Sequence, residues 1–223
     1  MIRVVVIVEG QTEESFISRV LAPEFWAKQI YLQPILLGLP GHKGGRVNFD
    51  RVRQDATRLL KQDKTAYCTT MFDYYGLGPG FPGTPPPPNT APIGQVCQLE
   101  AARQQYFEEE IPQFRPDARF IPYIQLHEYE GLLFSNSDAF AKAINQPQLI
   151  TRLQEIRKAF PTPEDINDSP ITAPSKRILD LHPRYSKVID GTLAAQAVGI
   201  AAMRAECPHF REWLEKLEGL TPL

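Results

Sequence analysis

Acidic residues follow directly on three apolar runs of this sequence, and they are the side chains best placed to do chemistry. These acids are Glu9, Asp73, Glu128 and Glu130. If the three runs are parallel strands, their carboxyl ends share one edge of a sheet, which is where open α/β sheets bind ligands. Converging carboxylates repel one another unless a cation lies among them, and Mg²⁺ prefers oxygen ligands. The pattern therefore predicts a site for Mg²⁺ or Mn²⁺ that would serve phosphoryl transfer.

Each of these acids also has a purely structural interpretation. Glu13 lies four residues after Glu9, where it would either reach the same site or only interact with the helix dipole, worth about 0.3–1 kcal/mol. Glu14 beside it is interpreted as solvated. An aspartate after a strand, such as Asp73, is commonly a turn former or a helix cap. The set is more informative than any one member, because every strong strand but the second ends in an acid.

The elements that must position these acids follow from the hydrophobic periodicity. Nearly continuous apolar runs predict strands at residues 2–8, 31–37, 66–72 and 119–126, the last weakened by Pro122. Helical spacing predicts a helix after each of the first three strands, and Pro23 is expected to interrupt or kink the first of them. This alternation predicts an α/β fold with a doubly wound, mostly parallel sheet between helices.

Two further segments complete the predicted organisation. Residues 76–92 contain seven of the 21 prolines and four of the 14 glycines, which predicts a long semi-rigid loop. The chain then continues mainly as helices, predicted at 138–144, 148–159, 175–181, 192–198 and 209–217. We therefore expect an α/β core over residues 1–135 and a helical C-terminal portion over 136–223, packed together as one compact unit.

The composition excludes several classes of protein. The 223 residues have a formal net charge of -2, which argues against coating nucleic acid by charge alone but leaves room for a local basic groove. The three cysteines have no zinc-site spacing and are odd in number, which favours reduced thiols in the cytoplasm. The N-terminal apolar run is too short for a membrane span and lacks the layout of a signal peptide. We expect a soluble cytoplasmic protein without a membrane partner.

The opening sequence VVVIVEGQTEESF, residues 4–16, resembles the first motif of Toprim domains, particularly those of OLD-family nucleases and related phage-defence proteins. Four further stretches are similar to an uncharacterised Toprim-like family that is often encoded beside ABC/AAA-type ATPases. They are residues 69–80, HEYEGLLF (127–134), APSKRI (173–178) and CPHFREWLEKL (207–217). The resemblance covers nearly the whole chain. It implies a Toprim-like fold and an ATPase partner in anti-phage defence.

The resemblance also implies a divalent-metal site formed by Glu9 and the acid after the third strand. Toprim domains usually carry Asp-x-Asp at that strand end, whereas this chain has Asp73-Tyr74-Tyr75. The second carboxylate is therefore missing, and Glu128 or Glu130 is predicted to supply it.

A phosphodiesterase also needs cations near the substrate phosphate. The candidate catalytic lysines are Lys176 and Lys187, which match by order alone the catalytic lysine implied by the resemblance. Candidates for contacts to nucleic acid are Lys43, Arg46, Arg177 and Arg184. For any one of these residues, surface solubility is the competing interpretation. Tyr74 and Tyr75 are interpreted as packing against the proline-rich loop in preference to stacking on a base.

The sequence thus predicts a magnesium-dependent nuclease subunit that hydrolyses phosphodiester bonds of DNA or RNA under the control of a partner ATPase. A non-catalytic Toprim-like assembly module and a phosphoryl-transfer enzyme acting on a nucleotide are the alternatives. The oligomeric state is left open, a homo-oligomer included.

Overall fold

The computed structural model describes residues 1–38, 47–78, 80–85, 89–167 and 172–223, and these contain a five-stranded parallel sheet. The strands are β1 (Ile2–Val8), β2 (Ile30–Leu36), β3 (Ala66–Asp73), β4 (Phe120–Ile121) and β5 (Ile124–Gln125). Their order is β2-β1-β3-β4, and β5 pairs with β3 further along than β4 does. Because all pairs are parallel, the carboxyl ends of the strands lie at one edge.

Helices cover both faces of this sheet. The described residues form α1 (Gln11–Phe16), α2 (Ala22–Trp26), α3 (Phe49–Gln62), α4 (Pro92–Glu110), α5 (Pro116–Arg119), α6 (Ser137–Ala143), α7 (Ile150–Lys158), α8 (Pro174–Leu181), α9 (Ile189–Val198), α10 (Ile200–Glu206) and α11 (Pro208–Glu218). Val6 of β1 belongs to a buried cluster with Phe16, whereas its neighbour Ile7 belongs to a second cluster with Val52 and Phe107. Alternate residues of β1 therefore face opposite helical layers, which confirms the predicted doubly wound α/β fold.

The helical segment after β1 contains a π-helical turn at Ile17–Leu21. In this turn the backbone N–H of Ala22 donates to the carbonyl of Ile17, five residues earlier. Pro23 follows in the first turn of α2, where a missing N–H is tolerated. The α-helix predicted after β1 is thus interrupted by a π-helical turn directly before Pro23, and α2 continues from there.

The fourth predicted strand is split into β4 and β5 at Pro122. Proline has no N–H to donate to a neighbouring strand, so the ladder to β3 is interrupted there. Threonine hydroxyls of β3 bridge the gap: Thr70 Oγ1 donates to the carbonyl of Tyr123 at 2.8 Å and accepts from its N–H at 2.9 Å. Thr69 Oγ1 likewise donates to the carbonyl of Ile121. The strand direction is thereby kept up to the acids that follow.

The C-terminal helices pack on the sheet through an aromatic contact. The ring of Trp213 in α11 stacks on that of Tyr123 with centroids 4.4 Å apart, and its Nε1 donates to Thr69 Oγ1 at 2.9 Å. The five predicted helices are present, but the sequence did not predict α10, which begins after Gly199 with a φ of 77°. The predicted boundary at residue 135 stays a prediction. Within the described ranges, no helix is both long and apolar enough to cross a bilayer.

Two buried glutamates secure the beginning of α11. Glu164 accepts from the backbone N–H groups of His209 at 2.9 Å and Phe210 at 3.0 Å. Glu100 Oε1 accepts from the N–H of Ile124 at 2.7 Å and lies 3.0 Å from Nε2 of His209. We call Glu100 and Glu164 the α11 acids. Glu164 supplies oxygens to backbone donors that a helix N-terminus leaves unpaired, whereas Glu100 joins the His209 side chain of α11 to β5.

Candidate metal site at the carboxyl edge of the sheet

The strand register brings the predicted acids to one place. Val8, the last residue of β1, is paired with Met71 of β3, so Glu9 lies level with the end of β3 at Asp73. Asp73 is in turn paired with Gln125, the last residue of β5, three residues before Glu128. We call Glu9, Glu13, Asp73, Glu128 and Glu130 the edge acids. The charges of the other four all act on Asp73.

Glu9 is held by the chain that follows β3. Its carboxylate accepts a hydrogen bond from the backbone N–H of Asp73. It also packs against Gly76 so closely that a Cβ at that position would come within 2.9 Å of Glu9 Oε1. Burial, followed by the charge of Glu13, raises the pKa of Glu9 to about 7. The glycine of the sequence DYYG is thus needed for the close approach of the Glu9 carboxylate.

Glu13 lies in the first turn of α1 and points back towards the strand end. Its Oε2 accepts from the backbone N–H of Gly10 at 2.9 Å, the reverse half of a capping box, and only 7% of the residue is exposed. Burial raises the pKa of Glu13. Glu13 therefore caps the start of α1, and its charge also raises the pKa of Glu9. Its role in binding metal stays a prediction.

Asp73 and Glu130 lie close enough for the charge of one to act on the other. Asp73 Oδ1 accepts from the backbone N–H of Tyr129 at 2.8 Å, and Glu130 is 1% exposed. Burial, then the charges of Glu13 and Glu130, raise the pKa of Asp73 well above its ordinary value. Burial likewise raises the pKa of Glu130 to about 7, against the opposing charge of Lys187. Both groups resist ionisation, first because burial removes water from the charged form and second because neighbouring carboxylates repel it.

Glu128 connects the site to the helical C-terminal portion. Its Oε2 accepts from the backbone N–H of Ser175 at 2.9 Å, in the first turn of α8. A carboxylate at a helix N-terminus interacts favourably with the helix dipole. Glu128 thereby joins the carboxyl edge of the sheet to the start of α8.

Lys187 is the predicted lysine that meets the edge acids. Its Nζ lies 3.2 Å from Oε1 of Glu130, and 44% of its side chain is exposed. Partial burial would lower the pKa of Lys187, but the charges of Glu130 and Glu128 outweigh this and raise it. Lys176 is exposed in the first turn of α8, and no ion pair of it occurs within the described part of the chain. Geometry thus favours Lys187 over Lys176.

Of the other predicted basic residues, two lie within the described ranges. Arg177 Nε donates to the carbonyl of Thr172 at 2.7 Å, and its guanidinium lies 5.1 Å from the ring centroid of Phe160. Arg184 is exposed. Lys43 and Arg46 fall outside the described residues, so their predicted role in binding nucleic acid stays a prediction.

The carboxylate oxygens of the edge acids are suitable ligands for magnesium, although they do not form a complete coordination site. Within the described ranges, no group of three or more His, Cys, Asp or Glu side chains is arranged to hold a metal ion as it stands. Magnesium, however, is usually bound by one or two carboxylates, with water and substrate phosphate completing the octahedron. A divalent cation would also relieve the repulsion that raises the pKa values of Glu9 and Asp73.

Sequence reasoning did not anticipate how Tyr75 and His127 are arranged. The ring centroids of Tyr75 and His127 lie 5.4 Å apart. The backbone N–H of Tyr75 also donates to the carbonyl of His127 at 3.4 Å. His127 has a φ of 63°, a left-handed conformation that is uncommon outside glycine. The hydroxyl of Tyr74 donates to Gln95 at the start of α4, whereas Tyr75 is 39% exposed. Their predicted packing against the proline-rich loop stays a prediction.

Comparisons with known proteins span most of the chain. A family model described as "Domain of unknown function (DUF4276)" matches residues 8–218. Among solved structures, the C-terminal region of the Burkholderia pseudomallei OLD protein is similar, with 13% sequence identity, a TM-score of 0.44 and 97% of each chain covered. No curated protein matches the chain.

Proposed function

The chain belongs to the DUF4276 family, and we propose that it is a metal-dependent nuclease subunit that hydrolyses phosphodiester bonds of DNA or RNA. One observation carries this proposal. The ends of three parallel strands bring Glu9, Asp73, Glu128 and Glu130 into mutual electrostatic contact, and Lys187 lies beside them. Buried like charges at the ligand-binding edge of an α/β sheet are unfavourable for folding, and a cation that binds phosphate is a plain physical reason for them.

The side chains divide the work according to their surroundings. Glu9 and Asp73 hold Mg²⁺ or Mn²⁺, and Glu128 or Glu130 replaces the carboxylate that Toprim-like sequences carry at the position of Tyr75. Glu13 assists by keeping a further negative charge near Glu9. A divalent ion bound there would activate water and stabilise the leaving oxygen.

Lys187 contacts the scissile phosphate in this proposal. The carboxylate of Glu130 lies 3.2 Å from the ammonium group of Lys187 and favours its charged form. The exposed part of the Lys187 side chain remains accessible to substrate. The ammonium group then donates hydrogen bonds to a phosphate oxygen and offsets the negative charge that develops during hydrolysis. In this proposal the acids bind the metal ion, and the lysine contacts the phosphate that the metal ion also contacts.

Control by a partner ATPase in anti-phage defence is part of the proposal on the strength of the sequence resemblance alone. The corresponding motifs at residues 127–134 and 173–178 contain Glu128 and Ser175, which are joined by a hydrogen bond of 2.9 Å. A partner that shifts α8 would therefore also move Glu128. This linkage gives a physical route by which an ATPase would regulate cleavage.

Metal-dependent cleavage tests the proposal directly. The purified chain, alone and with an ABC/AAA-type ATPase encoded beside it, is incubated with DNA and RNA in Mg²⁺, Mn²⁺ or EDTA. We expect cleavage in either metal and none in EDTA, and a loss of about 10²–10³-fold in Asp73→Asn and Glu9→Gln, the range for removing one transition-state stabilising group. Glu24→Gln, which alters an exposed glutamate of α2, is the matched control. Equal cleavage by all three variants would contradict the site.

A non-catalytic assembly module is the second candidate, and the lack of a finished three-ligand group within the described residues favours it. Titration calorimetry with Mg²⁺ and Mn²⁺ separates the two candidates. A catalytic site binds metal, and the binding disappears in Asp73→Asn. An assembly module binds no metal and forms the same complexes whether or not Asp73 is present.

A further inference from the structure

An exposed aromatic ring borders the edge acids. Tyr75 lies two residues after Asp73 and directly before Gly76, which packs against the carboxylate of Glu9. The charge of Glu128 also acts on the Tyr75 hydroxyl. Despite this crowded position, 39% of the residue is exposed. A large apolar surface therefore lies open to solvent next to the place where a phosphate would bind.

The Tyr75 ring is fixed in place by three different partners. The ring of His127 lies 5.4 Å away with an interplanar angle of 35°, and the ring of Tyr74 lies 6.1 Å away with an angle of 34°. Asn167 Nδ2 donates to the phenolic oxygen of Tyr75. These contacts remove most of the freedom that the side chain would lose on binding a ligand, which lowers the cost of stacking.

Packing of the core does not account for this arrangement. Tyr123 shows what a structural tyrosine looks like in the same protein, because its ring is 1% exposed between Trp213 and His209. Tyr75 also has ring contacts and a hydrogen bond to its hydroxyl, but its ring remains accessible to solvent. A rigid, accessible aromatic ring beside a phosphate site is the arrangement by which proteins stack on nucleic-acid bases, and it requires that the base be unpaired.

We propose that Tyr75 stacks on an unpaired nucleobase adjacent to the scissile phosphate, so that the substrate is single-stranded or frayed nucleic acid. This inference rests on the proposed function for the location of the phosphate. Stacking needs only the π face of the ring, so it tolerates any base and does not depend on the sugar. Base-paired duplex cannot use this ring without fraying, since its bases are stacked on one another.

Oligonucleotide binding in Ca²⁺ tests the inference, with Ca²⁺ in place of Mg²⁺ to slow cleavage. The probes are a single-stranded DNA and an RNA of the same sequence containing 2-aminopurine, and the corresponding DNA duplex. We expect Tyr75→Leu to weaken single-strand binding by about 5- to 150-fold, which corresponds to about 1–3 kcal/mol for one stacked base. Quenching of 2-aminopurine by the protein should also be lost, while duplex binding changes by less than about twofold.

Two further variants make the result specific. Tyr75→Phe keeps the ring and should bind single strands within about threefold of the unaltered chain. Tyr31→Leu removes a tyrosine of similar exposure, 41%, near the start of β2 at the opposite edge of the sheet, and should bind normally. Melting temperatures of all variants show whether they are folded.

The possible outcomes separate this inference from the proposed function. Single-strand binding that is equally strong in Tyr75→Leu and Tyr31→Leu overturns the stacking role, even if metal-dependent cleavage is found. A parallel loss of single-strand and duplex binding in Tyr75→Leu overturns it as well, as does the absence of binding to every probe. Binding that depends on Tyr75 in a chain that never cleaves supports the inference and contradicts the nuclease proposal.

Discussion

Two groups of buried carboxylates in this protein have opposite surroundings. The α11 acids, Glu100 and Glu164, face backbone N–H groups and His209. The edge acids are surrounded mainly by one another. Backbone N–H groups and Lys187 also contact them, but the charges of neighbouring carboxylates act on Glu9 and Asp73 from several sides. Both groups consist of Asp or Glu residues, so the sequence does not distinguish them. They differ in the groups that surround them in the folded chain.

The contrast shows which acids stabilise the fold and which are held against their own repulsion. Buried charge is tolerated when hydrogen bonds satisfy it, as both oxygens of Glu164 are satisfied at the beginning of α11. Burial raises the pKa of Glu164 as well, but these hydrogen bonds oppose it. At the sheet edge, burial and the charges of neighbouring carboxylates raise the pKa values of Glu9 and Glu130 to about 7. Burying carboxylates close together is unfavourable for folding, and such an arrangement at a ligand-binding edge is typical of a functional site.

The same chemical change should therefore have opposite effects on the two groups. Glu164→Gln places an amide NH₂ against a backbone N–H at the start of α11, and we expect it to lower the free energy of unfolding by about 2–3 kcal/mol. Asp73→Asn keeps the Oδ1 that accepts from Tyr129 and removes one repelling charge, so the metal-free protein should be as stable as before or more stable. Urea unfolding in EDTA measures both.

A destabilisation of Asp73→Asn comparable to that of Glu164→Gln would contradict the distinction between the two groups. It would mean that the Asp73 carboxylate is satisfied by its surroundings in the same way as Glu164.

Stability without metal should fall as the pH rises. The pKa of Glu130 is about 7 in the folded chain and close to 4.5 in the unfolded chain, so the native state binds the proton more tightly. The resulting stabilisation is fully present below pH 4.5 and is lost as the pH rises through about 7. Because Glu130 is 1% exposed, we expect a loss of about 2 kcal/mol between pH 5 and pH 8, measured by urea unfolding in EDTA.

The pH effect has an internal control. Glu130→Gln cannot titrate and should show a flatter profile, whereas Glu24→Gln should follow the unaltered chain. Other groups with raised pKa values, such as Glu9, remain in both and cancel in the difference. Identical slopes for Glu130→Gln and the unaltered chain would show that Glu130 does not carry this proton.

The smallest change concerns the contact between Gly76 and Glu9. A methyl group in Gly76→Ala would overlap the Glu9 carboxylate, which is the flexible end of a side chain and can move aside. We expect stability to change by less than about 1 kcal/mol, while metal affinity falls about tenfold, or about 1.4 kcal/mol, by titration calorimetry.

Gly219→Ala is the matched control for this experiment, because Gly219 has a φ of -77° beyond the end of α11 and lies far along the chain from the edge acids. Unchanged metal affinity in Gly76→Ala would show that the position of the Glu9 carboxylate does not matter for binding.

Much of the fold was predictable because it depends on local patterns. The run IRVVVIV predicted β1, and its alternating burial against two helical layers follows from strand geometry. Pro122 weakened the fourth strand as expected, since proline cannot donate to a neighbouring strand. The π-helical form of the turn before Pro23 and the separate helix α10 were not predicted, although Pro23 and Gly199 are local signals of a break at those places.

The sequence by itself determined that acids follow three strands and that those strands are buried, because both facts are written in neighbouring residues. Only the tertiary structure decided that Lys187 pairs with Glu130, that Gly76 admits the carboxylate of Glu9 and that Tyr75 remains exposed beside them. These contacts join residues 57 and 67 positions apart in the first two cases. Such distances leave no periodic trace in a sequence, since closing a loop of that length depends on the packing of the whole chain.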